Sequence, residues 1–165
     1  MRRSFPSPTL SLSLSLSLCV LLIACEKPPP QTGQRVIAAA VRALLDQSYA
    51  GIDYPTYRDS LKDLEALTAQ HLDTTPFSLR PLAEQMLDYL RTAEEILRWQ
   101  TEQGKAGLPS SDDKMVKAWV ERYPFLRAAI GAHTANVFDV PTALTLLWDK
   151  TNTTLPAFQM KSKPL

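Results

Sequence analysis

Apolar residues recur with a helical period along residues 34–155, and a chain patterned this way can bury its stripes only by packing helices together. Val36, Ile37, Ala40, Val41, Leu44, Leu45 and Ser48 mark one face of a first helix over 34–48, and Gly51 supplies a stop. A second helix begins around Ile52-Asp53-Tyr54-Pro55, because proline is tolerated in a first turn whose N–H groups have no partner. With Asp53 as N-cap, Ile52 and Tyr57 fall at the hydrophobic-staple positions. Tyr54 as N-cap suits the restriction that proline places on its predecessor, so both readings stay open. Tyr57, Leu61, Leu64, Thr68 and Leu72 form the buried stripe.

Residues 73–77 read as a loop and Ser78 as the N-cap of the longest pattern, 79–103, with Leu82, Met86, Leu90, Ala93 and Leu97 on one face. The segment 104–109, with two glycines and a proline, breaks it. Ser111-Asp112-Asp113 caps a fourth helix carrying Met115, Val116, Trp119, Val120 and Tyr123. Pro124 either kinks that helix or starts a new piece over 125–132, and 133–138 read as a loop. Asp139 caps a last helix with Pro141 in its first turn and Leu144, Leu147, Trp148 and Leu155 inward. Pro156 is expected to end that helix, leaving 156–165 as a loose tail. Consecutive amphipathic helices with short loops pack as antiparallel neighbours, so the fold class is all-α, a four- to five-helix antiparallel bundle.

The first residues follow another plan. Arg2 and Arg3 precede an apolar run over 10–24 that begins as a Leu-Ser alternation and ends in Val-Leu-Leu-Ile-Ala. Its 15 residues are laid out as a secretory signal. They fall short of the roughly 20 that a spanning helix needs. Leu22-Ile23-Ala24-Cys25 closes the run and resembles the lipobox of bacterial lipoproteins. The resemblance covers residues 1–25 only. It implies a signal peptide over 1–24, diacylglycerol on the Cys25 thiol, cleavage before Cys25 and acylation of the new amine, with palmitate among the chains. Each buried methylene of such chains contributes ~0.8 kcal/mol, and two or more chains hold a protein stably. The chain is thus expected in a bacterial cell envelope, anchored to a membrane through Cys25. In enteric-type lipoproteins Asp after the cysteine retains the protein in the inner membrane. Glu26 is not that signal, which leaves both membranes open. Residues 25–33 carry Pro28, Pro29 and Pro30 and read as a stiff linker of ~3.1 Å per residue.

Cleavage before Cys25 leaves 141 residues, enough for one domain with a real core. The whole chain carries a formal +1, and loss of Arg2 and Arg3 brings it to −1. No basic stripe accompanies it, which argues against nucleic acid as a partner. Cys19 leaves with the signal, so the mature chain has no thiol pair for a disulfide.

The remaining residue types point away from chemistry. His71 and His133 are the only histidines, and neither has Glu three residues before it, as bundle metal sites use. Asp112-Asp113 reads as a helix cap and Glu94-Glu95 as a solvated face. Phosphate-binding, dinucleotide and nucleophile-elbow patterns are missing. We therefore assign no catalytic, cofactor-binding or metal-ligating residue, and expect a non-catalytic domain that binds a protein partner in the envelope. The contact residues singled out are Tyr54, from the cluster of Tyr49, Tyr54 and Tyr57 at the first interhelical turn, and Trp99, which lies off its helix's apolar stripe. The 104–109 loop joins them. The alternative is a small ligand or cofactor in the bundle core, for which Thr68 on an apolar stripe is the hint.

Overall fold

The computed structural model describes residues 33–103, 109–131 and 135–160, which belong to one compact unit. The signal, the lipobox with Cys25, the linker up to Thr32, most of the 104–109 loop, His133 and residues 161–165 lie outside the described residues. Among the described residues five α-helices follow one another: α1 (Gly33–Tyr49), α2 (Tyr54–His71), α3 (Arg80–Gln103), α4 (Lys114–Arg122) and α5 (Val140–Met160). Two short 3-10 helices, Phe77–Leu79 and Pro124–Ala129, precede α3 and follow α4. β pairing, among the described residues, is confined to the isolated bridges Ser110–Val137 and Ile130–Phe138. The chain is an all-α bundle.

Four of the helices close a ring. α1 packs on α2 and α5, and α3 packs on the same two neighbours, with the α3–α5 seam the most extensive. Adjacent helices run antiparallel. The Arg42 guanidinium donates to the Asn152 side chain at 2.8 Å and the Tyr49 hydroxyl to Asp149 at 2.6 Å, so α1 and α5 pair in opposite directions. α4 lies outside the ring against α3, also antiparallel, because Trp119 meets Trp99 and Glu95 while Tyr123 meets Asp88. The Pro124–Ala129 helix then packs on α5.

Most of each stripe reaches the core as the periodicity predicts; Met115, expected on the α4 stripe, is exposed instead, and Leu72 and Leu82 are half-buried. Ile37, Val41, Leu44 and Leu45 on α1, Tyr57, Leu61 and Leu64 on α2, and Met86, Leu90, Ala93 and Leu97 on α3 are buried together with Leu144, Leu147, Leu155 and Phe158 of α5. Full burial of such side chains contributes ~1.5–3 kcal/mol each. Buried hydroxyls are mostly satisfied within their own helix. Ser48, Thr92 and Thr151 each donate to the carbonyl four residues back, at 2.7, 3.0 and 3.0 Å. Among the described residues no helix is long and apolar enough to cross a membrane.

Several boundaries differ from the expectations. Asp53 is the N-cap of α2, its carboxylate accepting from the Thr56 N–H at 2.8 Å, which settles the choice between Asp53 and Tyr54. Asp113 caps α4 in the same way, through the Met115 N–H at 2.7 Å. Ser78 does not cap α3. It sits exposed inside the 3-10 turn that seats Leu79 in the core, and α3 starts at Arg80. Pro156 does not end α5, which continues to Met160 with Pro156 inside it. A proline in a helix interior costs ~3 kcal/mol. Here Leu155 and Phe158 are both fully buried, and the buried Gln34 amide of α1 donates to the carbonyls of Phe158 and Gln159. Those carbonyls belong to the last turn, where no helical N–H reaches them. Burial and capping together offset the break.

Candidate functional site

The outer face of α3 carries several ordered polar side chains, with aromatic rings packed beneath them. Two open clefts flank it. The cleft between α2 and α3, about 300 Å³, is lined by Tyr54, Arg58, Lys62, Glu65, Arg91 and Glu94 among others. Tyr54 stands in the first turn of α2, held there by the Asp53 cap and Pro55. Its ring is half-buried against the core, and its hydroxyl donates to Glu94 Oε1 at 3.0 Å. Desolvation and then the Glu94 hydrogen bond raise the phenol above its usual pKa. Arg58 lies 6.0 Å from the ring centroid, and Arg91 Nε donates to Glu65 Oε1 at 2.5 Å.

The cleft between α3 and α4, about 710 Å³, is lined by Glu84, Gln85, Asp88, Tyr89, Arg91 and Tyr123 among others. Asp88 is its hub, accepting from the Arg122 guanidinium through one oxygen and from the Tyr123 hydroxyl through the other. Burial first, and the Asp88 hydrogen bond second, push the Tyr123 phenol up to about 12. Up to that pH it stays a hydrogen-bond donor and does not act as a base. Tyr89, Tyr123 and Phe125 stack around it with ring centroids 5.3–6.0 Å apart. Gln85 Nε2 donates to the Tyr89 hydroxyl at 2.8 Å. Further along α3, Glu95 accepts from Trp119 Nε1 at 3.1 Å. What this arrangement offers chemically is a face of fixed donors, acceptors and aromatic edges.

The residues expected from the sequence are only partly brought together. Tyr54 is on this face. Trp99 is half-buried, its ring set edge-on to Trp119 at 6.5 Å, so it belongs to the α3–α4 seam and not to a free surface. Of the three clustered tyrosines, Tyr57 is core, its hydroxyl donating to the Leu90 carbonyl at 3.0 Å, and Tyr49 is largely exposed. Glu94 and Glu95 do not form a solvated face: both are half-buried acceptors, for Tyr54 and Trp119. His71 closes α2, and among the described residues no group of three His, Cys, Asp or Glu gathers to hold a metal ion. Thr68 Oγ1 is buried without a partner, as is Trp148 Nε1. Trp148 packs on Tyr57, eleven residues before Thr68 on α2, or ~16 Å along the helix. The two orphans do not converge on one ligand.

The Asp88–Arg122–Tyr123 cluster was missed. Its members lie 34 and 35 residues apart, and only the aromatic density of 119–125 hinted at it. Compared with protein-family models, curated proteins and solved structures, the chain matches none.

Proposed function

We propose that the chain is a lipoprotein of a bacterial cell envelope, held by lipid on Cys25, whose helical domain binds a protein partner without turnover. The anchor rests on Leu22-Ile23-Ala24-Cys25 behind its short apolar run. The partner face is the outer side of α3. The observation that carries this reading is that Arg91 lines both clefts, so Tyr54 and Arg58 on one side and Asp88 and Arg122 on the other border one surface, with Tyr89 and Tyr123 buried beneath it as its support. A half-buried tyrosine and arginines fixed in advance by ion pairs lose little freedom on binding, which is why such residues dominate binding hot spots.

Two measurements test the proposal in cells that make the full chain. Cys25→Ser abolishes incorporation of labelled palmitate. If the variant still incorporates palmitate at the same mature size, the anchor reading is wrong. A photoreactive residue at Glu84 or at Lys62 yields one shared protein adduct, while the same residue at Asp46, exposed on the diagonal helix α1, yields none. Equal adducts at all three positions, or none at any in a membrane-held protein, remove α3 as the partner face.

A further inference from the structure

We propose that the end of the bundle where α1 begins rests on the lipid bilayer, with Phe77 and Met160 inserted among the headgroups. This deepens the lipoprotein reading and rests on it. Phe77 and Met160 are 82% and 72% exposed, the most exposed large apolar side chains among the described residues. Nothing about the core requires either to be apolar.

Both stand at the same end as Gly33. The Gly33 backbone lies so close to the end of α2 that a Cβ there would fall 2.5 Å from the His71 carbonyl oxygen, and it would also meet Thr74 Oγ1. Phe77 follows Thr74 by three residues. On the other side, Gln34 donates to the carbonyls of Phe158 and Gln159, next to Met160. Three stretches distant in sequence therefore present one apolar pair around the start of α1.

Chain length puts this pair within reach of a bilayer. Cys25 precedes Gly33 by eight residues, which span at most ~28 Å fully extended. A lipid on Cys25 keeps this end of the bundle within that distance, and of the two ends it is this one that carries the exposed apolar pair; the α1–α2 turn at Ala50–Gly51 lies ~25 Å away at the other end of a 17-residue helix. The chemistry around the pair suits a lipid surface. The Arg80 guanidinium sits 5.8 Å over the Phe77 ring, an aromatic–cation pair that places a donor at the level of a phosphate. Arg35 lies exposed in the first turn of α1. Asp73, 3.9 Å from Arg80, offsets part of the positive charge at this end.

The test uses the full mature lipidated protein in protein-free vesicles of phosphatidylethanolamine and phosphatidylglycerol. An environment-sensitive fluorophore is placed on Phe77→Cys or, as the far-end control, on Ala50→Cys; both positions are exposed, so the fold tolerates them. The expected result is a blue-shifted emission at position 77 that spin-labelled lipids quench several-fold more than emission at position 50. Replacing Arg80 and Arg35 with Gln narrows that difference in anionic vesicles. Equal quenching at 77 and 50 in a protein shown by mass to carry lipid on Cys25 overturns the inference and leaves the anchor standing. A position-77 signal that shifts only when envelope proteins are added overturns it in favour of a protein contact. If no lipid is found on Cys25, the anchor reading fails first and the inference with it.

Discussion

Replacing Pro156 by alanine is expected to stabilise the protein. Pro156 is exposed and lies inside α5, four residues before its last residue, Met160. Its side chain contributes no buried packing, so the change is a backbone effect. Alanine restores an N–H that can donate to the Asn152 carbonyl and removes the ring clash with that residue, a difference of ~3 kcal/mol in a helix interior. Against this, the unfolded chain regains ~0.4–1 kcal/mol of freedom when proline leaves. Small backbone adjustments around an interior proline relax part of the clash. The net expectation is a gain of ~1–2 kcal/mol, read as a higher urea midpoint with unchanged m in circular-dichroism melts. Phe158→Ala, two residues on, removes a fully buried ring and should cost ~3–5 kcal/mol. If Pro156→Ala is neutral or destabilising and Phe158→Ala costs under ~0.5 kcal/mol, the chain beyond Leu155 is not a docked helix and the account of α5 given above is wrong.

Leu90→Ala, central in α3 and fully buried, should cost ~2–5 kcal/mol; a loss under ~0.5 kcal/mol would mean that α3 presents another face to the core. Trp99→Ala should lower the denaturation midpoint by opening the seam with Trp119, and an unchanged midpoint would return Trp99 to the free surface. Stability should fall as pH rises from 10, the ordinary tyrosine pKa, towards about 12, where folded Tyr123 titrates, because the unfolded chain gives up that proton first. Tyr49 and Tyr57 are raised in the same direction by burial, so Tyr123→Phe should flatten the alkaline fall in urea midpoints without abolishing it.

The helices were legible because each stripe is a local pattern, and the caps nearly so: the sequence left Asp53 and Tyr54 open and offered Ser111-Asp112-Asp113 together, and the structure selects Asp53 and Asp113, whose acceptors lie two or three residues from their donors. Thr68 reads the same in both views: a polar residue on a core stripe, which is found buried. Pro156 shows where local rules stop. Proline's intrinsic preference argues for an end, and burial of the Phe158 ring together with the Gln34 amide on its carbonyl, more than a hundred residues away in sequence, overrides it. The α3 face was half legible for the same reason. Tyr54 announces itself at a turn, but Asp88 is an ordinary off-stripe acid until α4 folds back and delivers Arg122 and Tyr123. Trp99 was misjudged because its position off the α3 stripe says only that it does not face the ring; it faces α4.

The pairing of α1 with α5 sets the order in which the domain can fold. α1 is made first and carries Ile37, Ala38, Val41, Leu44 and Leu45 into the core, yet one of its two partners is the last helix of the bundle. Synthesis proceeds from the N-terminus, so α1 and α2 can pair early as a hairpin with the apolar surface meant for α3 and α5 still bare. The ring closes only when Gln34 meets Phe158, a loop closure spanning nearly the whole domain. A chain that lacks α5 leaves that surface of α1 and α3 exposed, so truncation before Val140 is expected to make the domain prone to aggregate.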